Sequence, residues 1–306
     1  MIVREKPPSL WKLFITLQGS VVPKIWKRVL FFDLLAVAVC VLHLHYGWHF
    51  INLTVAPFTI IGLVIGLFLG FRNSVGYERY WEARTLWGGC LIACRNLTRQ
   101  VLVFGHTSAP EANRRRVYLL IAFAHALRHR LRGSDGSADL QRWLSAADYA
   151  TVSASPSPAN TLLTLIGHAF YQLHQTQGLQ SPLMANIDAQ ISELSHILGA
   201  CERIRTTPIP YAYLLLLHRT VYVYCFLLPF GLVSSVGYMT PVVVSFMAYA
   251  FLGLDALGDE ITNPFAQEPN ALALDSICRT IESHCLAELG ETWPPPLLPD
   301  RKGVLM

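Results

Sequence analysis

Three histidines, His43, His45 and His49, stand close together in the stretch HLHYGWH. Imidazoles at such spacing suit zinc or copper. No acidic residue or cysteine lies beside them, and Tyr46 and Trp48 interleave with them. Tyrosine and tryptophan favour the boundary between membrane and water, so the segment reads as an interfacial tip rather than a metal site. Cys90 and Cys94 are one helical turn apart, but no second pair at zinc spacing accompanies them; the seven cysteines read as reduced, buried thiols. Two charges fall inside apolar runs. Asp33 follows Lys27 and Arg28 closely and reads as the end of a run with a basic partner nearby; Arg219 lies deeper and is expected to pair with Asp33 or Asp255. No glycine-rich phosphate loop, Ser-His-Asp set or pair of carboxylates meets the helical pattern of the chain. HALRHRLR is a basic face where a catalytic His/Glu cluster would be needed. No catalytic residue, metal or cofactor is assigned, and an enzyme is not expected.

A different kind of pattern occupies Gly62 to Asn73, GLVIGLFLGFRN. Glycine recurs at Gly62, Gly66 and Gly70, and a large apolar residue at Leu63, Leu67 and Phe71, before Arg72 ends the run. Residues four apart stack along nearly one helical face. The two stripes are therefore adjacent, offset by about 100°. The glycine stripe, continued by Ser74, permits close helix approach. The large stripe faces either lipid or a pore; the residues leave both open, and lipid is the simpler reading.

The elements that carry these residues follow from composition. The chain has 306 residues, 53% hydrophobic and only 14% charged, where a soluble domain carries about 25% charged residues. Its mean hydropathy is +0.38. A net charge of +4 is too small and too scattered to imply a nucleic-acid partner. A membrane-spanning helix needs about 20 mostly apolar residues. Four segments meet this, at about 28–48, 55–72, 211–231 and 237–256, and pair as two hairpins. The last two are divided by LPFGLVSSVGYMTP, whose Pro, Gly and Ser residues signal a turn. Arg4, Lys6, Lys12, Lys24, Lys27 and Arg28 precede the first span, and Arg72, Arg79, Arg84, Arg95 and Arg99 follow the second. Both hairpin tips lack Lys and Arg. Basic residues stay on the cytoplasmic side, so both termini and the long middle segment are expected there, in a multi-pass inner-membrane protein. NLT at Asn52 is then an unlikely acceptor of glycan in a bacterial host. Nothing at the N-terminus resembles a cleavable signal peptide.

The middle, about 73–208, has apolar residues at helical spacing with charges between them, as in YERYWEARTLWGGCLIACRNLTRQVLVF and MANIDAQISELSHILGACERI. The expected fold is all-α, with four transmembrane helices continuous with a helical cytoplasmic region, forming one domain over 1–306. The segment 264–306 reads as a tail, because WPPPLLPDRKGVLM cannot make a regular helix.

APFTIIGLVIGLFLGFRNSVGYERYWEARTLWG resembles the second transmembrane helix of the bestrophin family, especially its bacterial members. The resemblance continues in GACERIRTTPIPYAYLLLLHRTVYVYCFLLPFGLV and in YMTPVVVSFMAYAFLGLDALGDEITNPF, and covers essentially the whole chain. It implies a homopentameric ion channel around one central pore. The family lines a narrow hydrophobic neck with three large apolar residues at i, i+4 and i+8, which match Leu63, Leu67 and Phe71. The family more often has Ile or Phe at the first two. Rings of apolar side chains gate by dewetting. A second narrowing, at the cytoplasmic exit, matches Pro182 or Leu183 in QSPLMAN, with Met184 beside them. Val55 and Thr59, two turns and one turn above Leu63, would line the outer entry. Animal members are calcium-gated through an acidic cluster after NPF. Asn263 matches here, and Glu260 and Glu268 offer oxygens, but the acidic run is missing and Ala271 replaces a carboxylate. Calcium wants six to eight oxygens, so no calcium dependence is expected. The permeant monovalent ion implied by the bacterial resemblance is a cation, sodium, with a chloride or other anion channel of the same fold as the alternative. A carrier or non-conducting scaffold is the rival class; a carrier favours internal repeats and broken helices, and only Pro57 and the glycines hint at a break.

Overall fold

The computed structural model describes residues 1–2, 11, 16–17, 19–47, 53–106, 108–301 and 303–306, apart from the side chain of Gln177. Arg4, Lys6, Lys12, Trp48, His49 and Asn52, which figure in the sequence reading, lie outside the described residues. The chain is 79% helical, with no strand among the described residues. The helices are α1 (Val22–Leu44), α2 (Val55–Phe104), α3 (Pro110–Arg132), α4 (Ser137–Trp143) and α5 (Ala146–Ser153), then α6 (Pro158–Gln177), α7 (Ser181–Thr206), α8 (Tyr211–Val236), α9 (Thr240–Thr262) and α10 (Leu274–Glu288). Proline stands in the first turn of α1, α3, α6, α7 and α9, where its missing N–H costs nothing. Gly133 at φ 66° closes α3, its N–H donating to the His129 carbonyl, a left-handed position that glycine takes without a Cβ penalty.

The chain forms two compact units. One comprises residues 4–80 and 208–264, the other residues 1–3, 81–207 and 265–306. In the first, an apolar core joins Ile25, Phe32 and Ala36 of α1, Phe58, Ile65 and Leu69 of α2, Val221, Tyr224 and Leu228 of α8, and Val244, Phe251 and Leu252 of α9. Among the described residues, two stretches of helix are long and apolar enough to cross a membrane, Val55–Phe104 and Tyr211–Thr262. The turn between α8 and α9 is a 3-10 turn at Gly237–Met239, inside the stretch LPFGLVSSVGYMTP and toward its C-terminal end. Pro229 and Gly231 lie inside α8 and are buried. Gly231 is there for packing: a Cβ would run into the Phe58 ring of α2.

In the second unit, α3 is buried on almost every side from Val117 to Leu127 and packs against α6 and α10. The segment read as a tail contains α10, an amphipathic helix that buries Leu274, Cys278, Ile281, Cys285 and Leu286. Three- and four-residue spacing of those side chains outweighs the prolines, none of which falls inside the helix: Pro264 and Pro269 precede it and the others follow Trp293. Nor is the last stretch loose. Ser276 donates to the Met306 carbonyl at 2.8 Å, and Ile2 and Val304 form an antiparallel bridge.

Candidate functional site

The first turns of α2 divide sharply into two faces. Phe58, Ile65, Leu69, Arg72 and Gly76 recur at spacings of three, four and seven and are buried against the unit's other helices. Leu63, Leu67 and Phe71 are 76%, 55% and 57% exposed on the chain. Leu67 is two residues from both Ile65 and Leu69, about 200° around the helix from each. The apolar stripe therefore points away from the bundle that holds α2 in place. Thr59 is exposed on the same helix and donates to the Val55 carbonyl at 3.3 Å; Val55 is half-buried.

The glycine stripe meets the bundle at its first two positions only. A Cβ on Gly62 would sit 2.7 Å from the Tyr224 hydroxyl of α8, and one on Gly66 4.0 Å from the Phe251 ring of α9; Gly70 has open space. Close approach is thus required at Gly62, relaxed at Gly66 and absent at Gly70.

Where the stripe ends, charge is buried. Arg72 is 1% exposed. Its Nη1 donates to Asp255 Oδ1 at 2.5 Å and to the Asp255 carbonyl at 3.3 Å, and its Nη2 donates to Asp259 one turn along α9. The other oxygen of Asp255 lies 2.6 Å from His218 Nδ1 of α8. Asn73 Nδ2 donates to the Leu254 carbonyl at 3.2 Å. The partner expected for Arg219 is therefore already engaged: Asp255 serves Arg72 and His218, while Arg219 is exposed. Asp33 accepts from the Ser245 hydroxyl at 2.7 Å, in place of the basic partner expected. Lys24 instead pairs with Glu260 at 3.0 Å, occupying a carboxylate that the calcium comparison had singled out. Sequence reasoning missed the Arg72 network. Its trace was the i, i+4 pair Asp255 and Asp259 around Gly258, 183 and 187 residues along the chain from an arginine at the end of an apolar run.

Pro182 is exposed and Leu183 and Met184 are half-buried in the first turn of α7, where the Leu183 and Met184 N–H groups donate to the Gln180 carbonyl at 3.0 and 3.2 Å. They belong to the second unit, and Leu63, Leu67 and Phe71 to the first. His43 and His45 end α1, and His45 packs edge-on to Tyr46 at 5.2 Å between ring centroids. No group of three or more His, Cys, Asp or Glu able to hold a metal occurs among the described residues. All seven cysteines are buried and unpaired. Burial pushes the Cys285 thiol up to about 11, and the Cys94 thiol, hydrogen-bonded to Cys90, is raised as well.

Residues 1–287 match the family described as Bacterial/Fungal Bestrophin protein. The chain belongs to the bestrophin family. The voltage-dependent anion channel-forming protein YneE of Escherichia coli (strain K12) is 42% identical over 304 residues, covering 98% of each chain. The voltage-dependent anion channel-forming protein RSc3414 of Ralstonia nicotianae is 38% identical over 293 residues, 95% of each. The crystal structure of a bacterial bestrophin homolog from Klebsiella pneumoniae superposes with a TM-score of 0.84 at 42% identity, over 88% of this chain and 99% of that one. In this bestrophin, the exposed stripe of α2 runs directly into the buried charge network around Arg72.

Proposed function

We propose that this bestrophin is a membrane ion channel, a homopentamer in which Leu63, Leu67 and Phe71 form the neck of a central pore. The single observation that carries the reading is the exposure of that stripe, opposite a face buried at Phe58, Ile65, Leu69 and Arg72, in a chain whose relatives are named channel-forming proteins. Such a stripe on one subunit needs either lipid or other subunits against it. Five copies facing one axis give three stacked apolar rings, which hold water poorly. The spans are α1, the first part of α2, α8 and α9, with both termini cytoplasmic in an inner membrane. Val55 and Thr59 line the outer entry, and Pro182 or Leu183 the cytoplasmic aperture. Calcium is not required, since Glu260 is tied to Lys24 and Ala271 is buried.

The permeant species is a monovalent ion. The expectation of sodium came from the bacterial resemblance alone. The names of the Escherichia coli and Ralstonia relatives favour an anion, and nothing in the neck opposes it, since its three side chains carry no charge. A planar-bilayer recording of the purified protein in a NaCl gradient tests both levels of the proposal. An ion current is expected, with larger conductance in Leu67→Ala, whose smaller side chain widens the middle ring. A reversal potential at chloride's equilibrium value supports the anion reading, and one at sodium's restores the cation reading. Silence from both proteins would overturn the channel itself.

A further inference from the structure

The neck stripe and the buried arginine are consecutive in sequence, and that adjacency has a mechanical consequence. Phe71 is more than half exposed; Arg72, about 100° further around α2, is fully buried. Apolar packing is non-directional and fixes a helix's rotation about its own axis only weakly. Directional contacts must do this, and between apolar helices in a membrane hydrophobic attraction supplies little besides. In α2 they cluster at the exit of the stripe: the Arg72 fork on Asp255 and Asp259, the Asn73 amide on the Leu254 carbonyl, and the Tyr213 hydroxyl on the Phe68 carbonyl at 3.3 Å. His218 holds Asp255 from the other side, so one carboxylate ties α2, α8 and α9 together.

Gly258 makes the seat. A Cβ there would stand 2.5 Å from Asn73 Oδ1 and 3.2 Å from Arg72 Cζ. Five residues earlier on the same helix, a Cβ on Gly253 would meet only Val21 and Ile25 at ordinary contact distances of 3.7 and 3.8 Å. We infer that Arg72, seated on Asp255 through the absence of a side chain at Gly258, is a positioning residue for the neck: it sets the rotation of α2 and with it the direction in which Leu67 and Phe71 point. This rests on the neck reading above and adds the device that aims it.

The two glycines give the test. Gly258→Ala and Gly253→Ala make the same chemical change on one helix, and only the first presses on Arg72. Each is combined with Phe71→Cys in the full-length protein, and the rate of modification by a charged methanethiosulfonate reagent is measured; the native cysteines are buried and give little background. The expected result is a severalfold change in rate for Gly258→Ala and none for Gly253→Ala. Bilayer conductance, measured with Phe71 intact, should change severalfold in the same variant and not in the other. Arg72→Lys keeps the charge and loses the two-pronged geometry, so it should shift the labelling rate in the same direction by less; it also serves if Gly258→Ala does not fold. Equal effects of the two glycine substitutions, or no labelling change in Gly258→Ala or Arg72→Lys, would overturn the inference. Labelling that shifts in a protein that passes no current would leave Arg72 as a positioning residue and overturn the channel.

Discussion

Around Arg72, a single buried guanidinium gathers polar groups from three helices inside a core that is otherwise apolar. Around α3, in the other unit, buried polarity is spread along a whole helix. Arg116 donates to the Ala169 carbonyl at 2.9 Å and to Asn113 at 2.7 Å, Arg132 reaches Asp275 at 2.7 Å, and Arg142 and Arg279 reach the buried Glu282 at 3.1 and 3.3 Å. The difference teaches what each unit has available. Where neighbours are apolar helices, a fully buried charge depends on a small, closed set of partners, here the Asp255 carboxylate and carbonyl and the Asp259 carboxylate. Where the surface is polar, several partly exposed partners share the load, and losing one leaves others.

The comparison breaks most visibly at Asp255. Asp255→Ala leaves the Arg72 guanidinium buried with one carboxylate, Asp259, which is 55% exposed, and with the backbone carbonyl of position 255. Removing one partner of a buried pair costs about 3–5 kcal/mol, because the other charge is stranded. A large loss of thermal stability in detergent is expected, and the double substitution Arg72→Leu/Asp255→Leu should recover most of it, since it removes both charges together. If Asp255→Ala costs no more than a surface substitution, the network is not the closed set described.

A smaller effect separates the other unit. His125 is buried, and both of its ring nitrogens lack a hydrogen bond among the described residues; Asp139 and Glu282 approach only to 3.6 and 3.9 Å, too far for a hydrogen bond. Burial, aided by Arg128, lowers its pKa from 6.5 to about 4. The folded state therefore holds His125 neutral while the unfolded chain takes a proton. Stability is full above pH 6.5 and is lost as pH falls toward 4, by up to roughly 3 kcal/mol. Glu282, raised by its own burial, works in the opposite sense, since it takes a proton more readily when folded. Asp148, held low chiefly by its bond to Arg115, adds a further loss only below its ordinary value of 3.8. Melting curves between pH 7 and pH 5 should show the decline, and His125→Gln should flatten it. An unchanged slope in that variant would move the acid sensitivity elsewhere.

Much of this architecture was readable before any coordinates, and the limits of that reading follow from physical range. The long apolar runs, the helical spacing of the middle segment and the stripe Leu63, Leu67, Phe71 are local patterns, and local patterns survive in one sequence. Orientation of the stripe was not local: lipid and pore demand the same residues. The Arg72 network was invisible because it joins positions 183 and 187 residues apart, and a buried aspartate looks like any other aspartate in a string. The stretch read as the turn, LPFGLVSSVGYMTP, contains Gly237 but starts too early, because Pro229 and Gly231 are the usual signs of a break; in an apolar helix both are tolerated. The helix α10 was hidden by the prolines after it.

The smallest test sharpens the claim that the second unit shares its polar load. Ser145 caps α5: its hydroxyl oxygen accepts from the Asp148 N–H at 3.1 Å and its hydroxyl donates to Asp148 Oδ2 at 2.9 Å. Asp148 is also gripped by Arg115, with Nε and Nη2 both at 2.8 Å. Ser145→Ala removes the cap and one of the carboxylate's donors, but the two-pronged arginine contact stays. The expected cost is about 1 kcal/mol, the ordinary value of an N-cap, well below that at Asp255. A thermal shift measured beside Asp255→Ala checks the ratio. A loss as large as that at Asp255 would mean that Arg115 does not hold the carboxylate once the serine is gone, and that buried polarity in this unit is as closed a set as the one around Arg72.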